Sequence, residues 1–265
     1  MHLTTSGLPS SASSVLPLQS AKGQVLLQRS YDARRTSKVM VDAYTRQDHQ
    51  FSSGVASLVV LINALNVAYR IKYDQVEERS RMTDLLNKGH TFVVTEKDVF
   101  GFSKVAKYLE DNRLTKSNLT LGQLHSVALY LGFGSNSYYA CSEGNCNTND
   151  ESAMKSRKIL GQDVEGYKWK NVGDFRTFAK DYVMRKVTGV IVNYDRRTLD
   201  KESEGGHFSP LAGYDEVSDR FLVMDVGTEE GGVWVRATDL FKAMTIVDPL
   251  TDVPRGCLHV HELLI

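Results

Sequence analysis

A chain of 265 residues can bury roughly 75% of the surface its unfolded form exposes, enough for a sizeable core without covalent staples. Lys plus Arg equals Asp plus Glu at 32 each, a balance that argues against nucleic acid or an anionic membrane surface as the main partner. Three cysteines are too few for a disulfide framework, and no apolar run reaches the roughly 18–20 residues that span a bilayer.

Residues 1–22 are rich in Ser and poor in pattern, which suggests a flexible lead-in; they show neither the basic nor the apolar region of a signal peptide. The rest, 23–265, reads as one domain with a helical lobe to about 186 and a sheet lobe from about 187. Apolar spacing predicts a helix around 32–45 that feeds a loop at Gln47. From Ser53 onward comes a helix apolar on nearly every face (Val55, Leu58, Val59, Leu61, Ile62, Leu65), so it is expected to be buried and central. Ser52 stands where a helix N-cap would. Residues 70–112 alternate charged and apolar positions without clear boundaries.

Thr120 and Gln123 have capping-box spacing ahead of Leu124, Val127, Ala128 and Leu131, with Gly132 as the stop. The polar stretch 134–165 reads as a long surface loop, with Cys141 and Cys146 as surface thiols. Another helix is predicted over about 172–186. Short β-rich runs follow: Val187–Tyr194, His207–Tyr214, Phe221–Val226, Val233–Arg236 and Cys257–His261. Helices followed by strands predict an α+β fold with an antiparallel sheet. Alternation puts Cys257, His259 and His261 on one strand face; a half-buried strand explains them with less strain than a copper or zinc site.

Acyl transfer requires a nucleophile, a base, a group that orients the base, and donors for the oxyanion. Ser53 at the start of the buried helix, His207 after Gly205-Gly206, and Asp225 at the end of an apolar run supply the first three. Gln47 could aim its amide at the oxyanion beside the backbone N–H of residue 53. Singly, each of these residues is more often structural or solvated. Their joint order beside a buried helix is what points to a site.

Residues 24–262 resemble the phytochelatin synthases of the papain-like cysteine peptidase superfamily. Ser53-Gly54-Val55-Ala56-Ser57-Leu58 is similar to that family's Cys-Gly-Val-Ala-Ser motif with the cysteine replaced. Val190–Tyr194, Gly205–Leu211, Phe221–Val226, Val233–Val235 and the segments Leu240–Met244 to Arg255-Gly256 carry the likeness further. The resemblance implies a papain-like fold, with position 53 as nucleophile, His207 as acid–base, Asp225 as its orienter and Gln47 as oxyanion donor. It also implies that Asp248 and Arg255 hold the ammonium and carboxylate of a γ-glutamyl group, with Asn193 and Gly206 lining the site. On residue types alone, Asp248 and Arg255 would be a surface pair.

The implied substrate is glutathione, with γ-Glu-Cys peptides as partners. Position 53 attacks the carbonyl joining cysteine to glycine, and the γ-glutamylcysteinyl acyl-enzyme passes to water or to a second glutathione. No cofactor or protein metal site is implied; cadmium or zinc enters as an activator through glutathione thiolates. Neither nucleic acid nor membrane is an expected partner, a homodimer is one open oligomeric state, and the cytoplasm is the expected compartment, with export or delivery to a host open.

Serine at 53 departs from the family. A cysteine near pKa 8.5 is readily ionised by a helix N-terminus and a histidine, whereas a hydroxyl must lose its proton during attack. An inactive Cys-to-Ser variant that holds substrate is the first reading, beside a natural pseudoenzyme or thiol-peptide binding module and a Ser-His-Asp hydrolase. A metallothionein-like buffer does not fit three cysteines.

Overall fold

The structure, a computed structural model, describes residues 14–67, 91–114, 118–141, 157–159, 162–164, 166–185, 187–201, 203 and 205–261. Strand β1 (Val15–Pro17) leads into helices α1 (Ala21–Asp32), α2 (Lys38–Asp42) and α3 (Ser53–Ala64). After an interval outside the described residues come α4 (Glu96–Gly101), α5 (Ser103–Asp111) and α6 (Leu121–Tyr130). Strand β2 (Gly134–Ala140), a separate ribbon of β3 (Arg157–Ile159) and β4 (Gln162–Val164), and β5 (Gly166–Trp169) precede α7 (Val172–Val183). The remainder is β6 (Thr188–Asp195), α8 (Arg196–Leu199), β7 (Gly206–Asp215), β8 (Arg220–Val223), β9 (Val233–Arg236), α9 (Ala237–Met244), the short pair β10 (Val247–Asp248) and β11 (Val253–Pro254), and β12 (Gly256–His261). No described helix is long and apolar enough to cross a membrane.

The principal sheet runs β1-β9-β8-β7-β6-β12-β2-β5, antiparallel throughout except where β2 and β5 pair in parallel. It lies between two helical layers, as its alternation requires. Ile191 of β6, Leu222 of β8 and Leu258 of β12 pack toward α3 and α6, while Val190, Val192, Phe221 and Cys257 pack toward α7 and α9. This is the α+β, papain-like arrangement, with α3 laid against β7 and β6. Every residue of α3 from Ser53 to Ile62 is buried, as its unbroken apolar run dictates. Gly189 of β6 makes the approach possible: a Cβ there would sit 2.0 Å from Leu61 Cδ1.

The α6 capping box is complete, with Thr120 Oγ1 accepting from Gln123 N and Gln123 Oε1 accepting from Thr120 N; Gly132 follows at φ +87°. The helix predicted over about 172–186 and the five β-rich runs also form, with shifts of up to a residue at most ends and of three at the C-terminal ends of the helix, which stops at Val183, and of the third run.

Four expectations are corrected. Within the Ser-rich lead-in, Val15–Pro17 pairs with Val233–Val235 and Leu18 is buried, because apolar residues there complete the sheet edge. The expected helix over 32–45 is divided: α1 ends at Asp32, residue Arg34 takes φ 55°, and only Lys38–Asp42 is helical again. The expected surface loop 134–165 contains β2, which pairs along its whole length with β12. Its polar residues hide the strand from the pattern because the fold brings His125 to them: Ser137 Oγ lies 2.8 Å from His125 Nδ1, and the Ser135 backbone carbonyl 2.9 Å from His125 Nε2. Cys141, at the end of β2, is 4% exposed and disulfide-bonded, so it is not a surface thiol; Cys146 lies outside the described residues.

Candidate active site

The start of α3, the start of β7 and the segment after β8 meet along a cleft of about 710 Å³. Its lining includes Gln47, Ser53, Arg196, Gly206, His207 and Arg255. Ser53 opens α3 and therefore brings unpaired helix N–H groups and their dipole to the cleft wall. Its Oγ accepts a 3.2 Å hydrogen bond from Phe208 N–H, which fixes the hydroxyl beside the residue after His207. Ser52 occupies the N-cap position without capping: its Oγ donates to the His49 carbonyl at 2.9 Å instead.

His207 is buried, and its Nε2 lies 2.9 Å from Asp225 Oδ1. That bond fixes the proton on Nε2 and leaves Nδ1 as the acceptor, with no hydrogen-bond partner among the described residues. Asp225 is held further by Gly227 N–H at 3.0 Å and by Arg196 Nη2 at 3.1 Å from Oδ2. Burial alone would raise its carboxyl, but the His207 bond and the Arg196 charge outweigh it and hold the group below the usual carboxylate range. Tyr44 donates its hydroxyl to the Asp225 carbonyl at 3.1 Å and to the Thr228 carbonyl, which ties the Asp225 turn to the segment before Gln47. Among the described residues, no hydrogen bond joins Ser53 to His207.

Gln47 is anchored by its backbone N–H to the Val226 carbonyl at 2.9 Å, one residue beyond Asp225. Its side-chain amide donates to the Gln50 carbonyl at 2.9 Å, leaving a second N–H, while Oε1 is buried without a partner among the described residues.

Asp248 and Arg255 are 7% and 6% exposed, so they are a buried pair and not the surface pair their residue types suggest. Arg255 Nη1 donates to Asp248 Oδ2 at 3.3 Å and to Asn193 Oδ1 at 3.2 Å. Arg255 Nε and Asn193 Nδ2 are buried without partners among the described residues, an expensive state for two donors unless something from the cleft meets them. Gly206 makes room for this arrangement: a Cβ there would lie 2.2 Å from Arg255 Nη1. All eight residues singled out in the sequence thus belong to one region, six of them lining the cleft, Asp225 behind His207 and Asn193 behind Arg255.

Arg196 and Tyr44 were not legible beforehand. Arg196 follows the end of β6 with no motif to mark it, and only the fold carries it to Asp225. On β12, Cys257 is buried with its thiol pushed well up by burial, and His259 has both ring nitrogens unpartnered. No group of three His, Cys, Asp or Glu side chains that could hold a metal ion occurs among the described residues.

A hydroxyl at a helix start set beside a strand-borne histidine and its aspartate is the arrangement that a papain-like acyl-transfer site requires. The chain belongs to the phytochelatin synthase family, whose model matches residues 5–257. It is 34% identical over 93 residues to glutathione gamma-glutamylcysteinyltransferase 3 of Lotus japonicus, covering 35% of this chain and 19% of that protein. Glutathione gamma-glutamylcysteinyltransferase 1 of the same plant is 37% identical over 82 residues, covering 29% of this chain and 16% of that protein. The chain matches less than a fifth of the length of either relative.

Proposed function

We propose that the cleft binds glutathione and related γ-Glu-Cys peptides, and that the site is built to transfer a γ-glutamylcysteinyl group through an acyl-enzyme. In this reading Arg255 and Asn193 receive the α-carboxylate of the γ-glutamyl group, Asp248 its ammonium, and the glycine-side carbonyl lies over position 53. Attack forms the bond to position 53; Gln47 and the backbone N–H of residue 53 stabilise the oxyanion, and His207 gives a proton to the departing glycine amine. Water then releases γ-glutamylcysteine, or the amine of a second glutathione takes the acyl group. Cadmium or zinc enters as thiolate-bound substrate and asks for no ligand from the protein. The supporting observation is the pair of unmet donors, Arg255 Nε and Asn193 Nδ2, buried behind the cleft that holds Ser53 and His207.

With serine at 53 the site holds substrate and turns it over slowly. A hydroxyl must pass its proton to His207 Nδ1 as it attacks, and among the described residues no hydrogen bond joins Ser53 to His207. Cysteine reaches farther and ionises before attack.

The test is Ser53→Cys incubated with glutathione. Glycine release and a γ-glutamylcysteinyl adduct in the mass spectrum are expected from the cysteine form, and binding with little release from the serine form. Equal turnover by both forms would establish a Ser-His-Asp hydrolase. Binding without turnover in either form would establish a binding module, and no binding in either would overturn the reading.

A further inference from the structure

The loop between Gln47 and Ser52 has little packing of its own. Arg46 and Asp48 line both the catalytic cleft and a second cavity of about 800 Å³ on the other side, so open space flanks the loop. Where packing cannot set a backbone, hydrogen bonds must. At one end the loop is tied by Gln47 N–H to the Val226 carbonyl. At the other it runs into Ser53. Between them Asp48 N–H donates to Glu96 Oε1 at 2.6 Å, a charge-assisted length.

Glu96 is an unusual residue to find there. It is 4% exposed, and its second oxygen, Oε2, is buried without a hydrogen-bond partner among the described residues. Its backbone is fastened to the nucleophile's own helix: two residues earlier, Val94 exchanges both backbone hydrogen bonds with the Asn63 amide of α3, at 3.0 and 2.9 Å. A closed circuit results, from α3 through Asn63 and Val94 to Glu96, across to Asp48, and back to Ser53.

We propose that Glu96 is a positioning residue of the acyl-transfer site: through the Asp48 amide its carboxylate holds the Gln47–Ser52 loop against the head of α3, so that Gln47 and Ser53 keep a common aim into the cleft. This rests on the functional reading above in taking Gln47 and position 53 as the reacting groups. A buried carboxyl with one oxygen unmet is costly to the fold, which is consistent with a residue retained for the loop it holds. Burial pushes Glu96 above its ordinary value, with the Ser52 hydroxyl, the Asp48 amide and His49 pulling the other way and Asp48 adding to the rise.

The experiment places Glu96→Ala and Glu96→Gln in the full Ser53→Cys chain and measures glycine release together with backbone amide exchange. Glutamine still offers an oxygen to Asp48 N–H; alanine offers none. Glu96→Ala is expected to lower kcat about 10²-fold, the cost of a misplacement of order 1 Å, with KM little changed. It is also expected to speed exchange at Asp48 while the sheet stays protected, and Glu96→Gln is expected to restore most of both. Unchanged kcat in Glu96→Ala, equal loss in both variants, or exchange that rises across the sheet as well as the loop would overturn the proposal. If Ser53→Cys itself releases no glycine, the functional reading fails, and Asp48 exchange alone decides: faster exchange in Glu96→Ala that Glu96→Gln reverses supports the clamp, and unchanged exchange removes it.

Discussion

Gly206 is a residue whose importance comes from what it lacks. The Arg255 guanidinium occupies the space a Cβ would fill, and it is held there by Asp248 and Asn193. Gly206→Ala forces the guanidinium to move and breaks those bonds while leaving the strand extended. A hydrogen bond to a charged group contributes about 1.5–3 kcal/mol, so on the proposed reading loss of one ligand contact is expected to lower affinity for glutathione about tenfold or more. Calorimetric titration of Gly206→Ala beside the parent checks this, with circular dichroism expected to be unchanged. Asp225 shows the same economy of position. Its folded value is depressed, so the stability it contributes is present above the ordinary carboxylate range and is lost as pH falls through the depressed folded value.

Among the elements, α3 is the one whose placement everything else serves. Its apolar run predicts burial but not which strand it crosses; Gly189 decides that by letting Leu61 sit against β6. Gly189→Ala overpacks a fully closed contact and is expected to destabilise the protein by about 1–3 kcal/mol, measured by urea unfolding. The displaced helix would also carry Ser53 away from Phe208, so ligand binding should weaken in the same variant. Strand β2 reads as a loop in sequence for the opposite reason. Hydrophobic alternation is weak in Gly134–Ala140, and its serines are buried only because His125 on α6 comes to meet them. His125 lies ten residues upstream of Ser135 and twelve upstream of Ser137, so it leaves no mark within the strand's own pattern.

Across the whole molecule, two neutral histidines set the response to acid. Burial lowers His125 and His259 to about 4 from an ordinary 6.5. Below 6.5 the unfolded chain takes up protons that the folded chain refuses until about 4, so stability falls across that window by up to about 3 kcal/mol per residue. His125 has both nitrogens satisfied, whereas His259 has neither and lies against the rings of Phe178 and Tyr182. His259→Phe is therefore expected to stabilise the protein by about 1–2 kcal/mol at neutral pH by removing an unmet polar group. It should also remove about half of the loss between pH 6.5 and 4. Denaturant midpoints at pH 7 and pH 4.5 for parent and variant would measure both; equal slopes of stability against pH in the two proteins would show that His259 is not a source of the effect.

The linear chain by itself determined the elements that obey local rules and the motifs that carry chemistry. The apolar run of α3, the capping box of α6, the β-rich runs of the second half and the order Gln47, Ser53, His207, Asp225 are all readable because periodicity and motif spacing are properties of neighbours in sequence. Only the tertiary structure decided that Arg196 braces Asp225, that Arg255 and Asp248 are a largely buried pair at the cleft wall, that β1 and β2 join the sheet, and that Glu96 reaches the loop before Ser53. Each of those depends on residues between about seven and more than two hundred positions apart, brought together by burial of apolar surface that local pattern cannot locate.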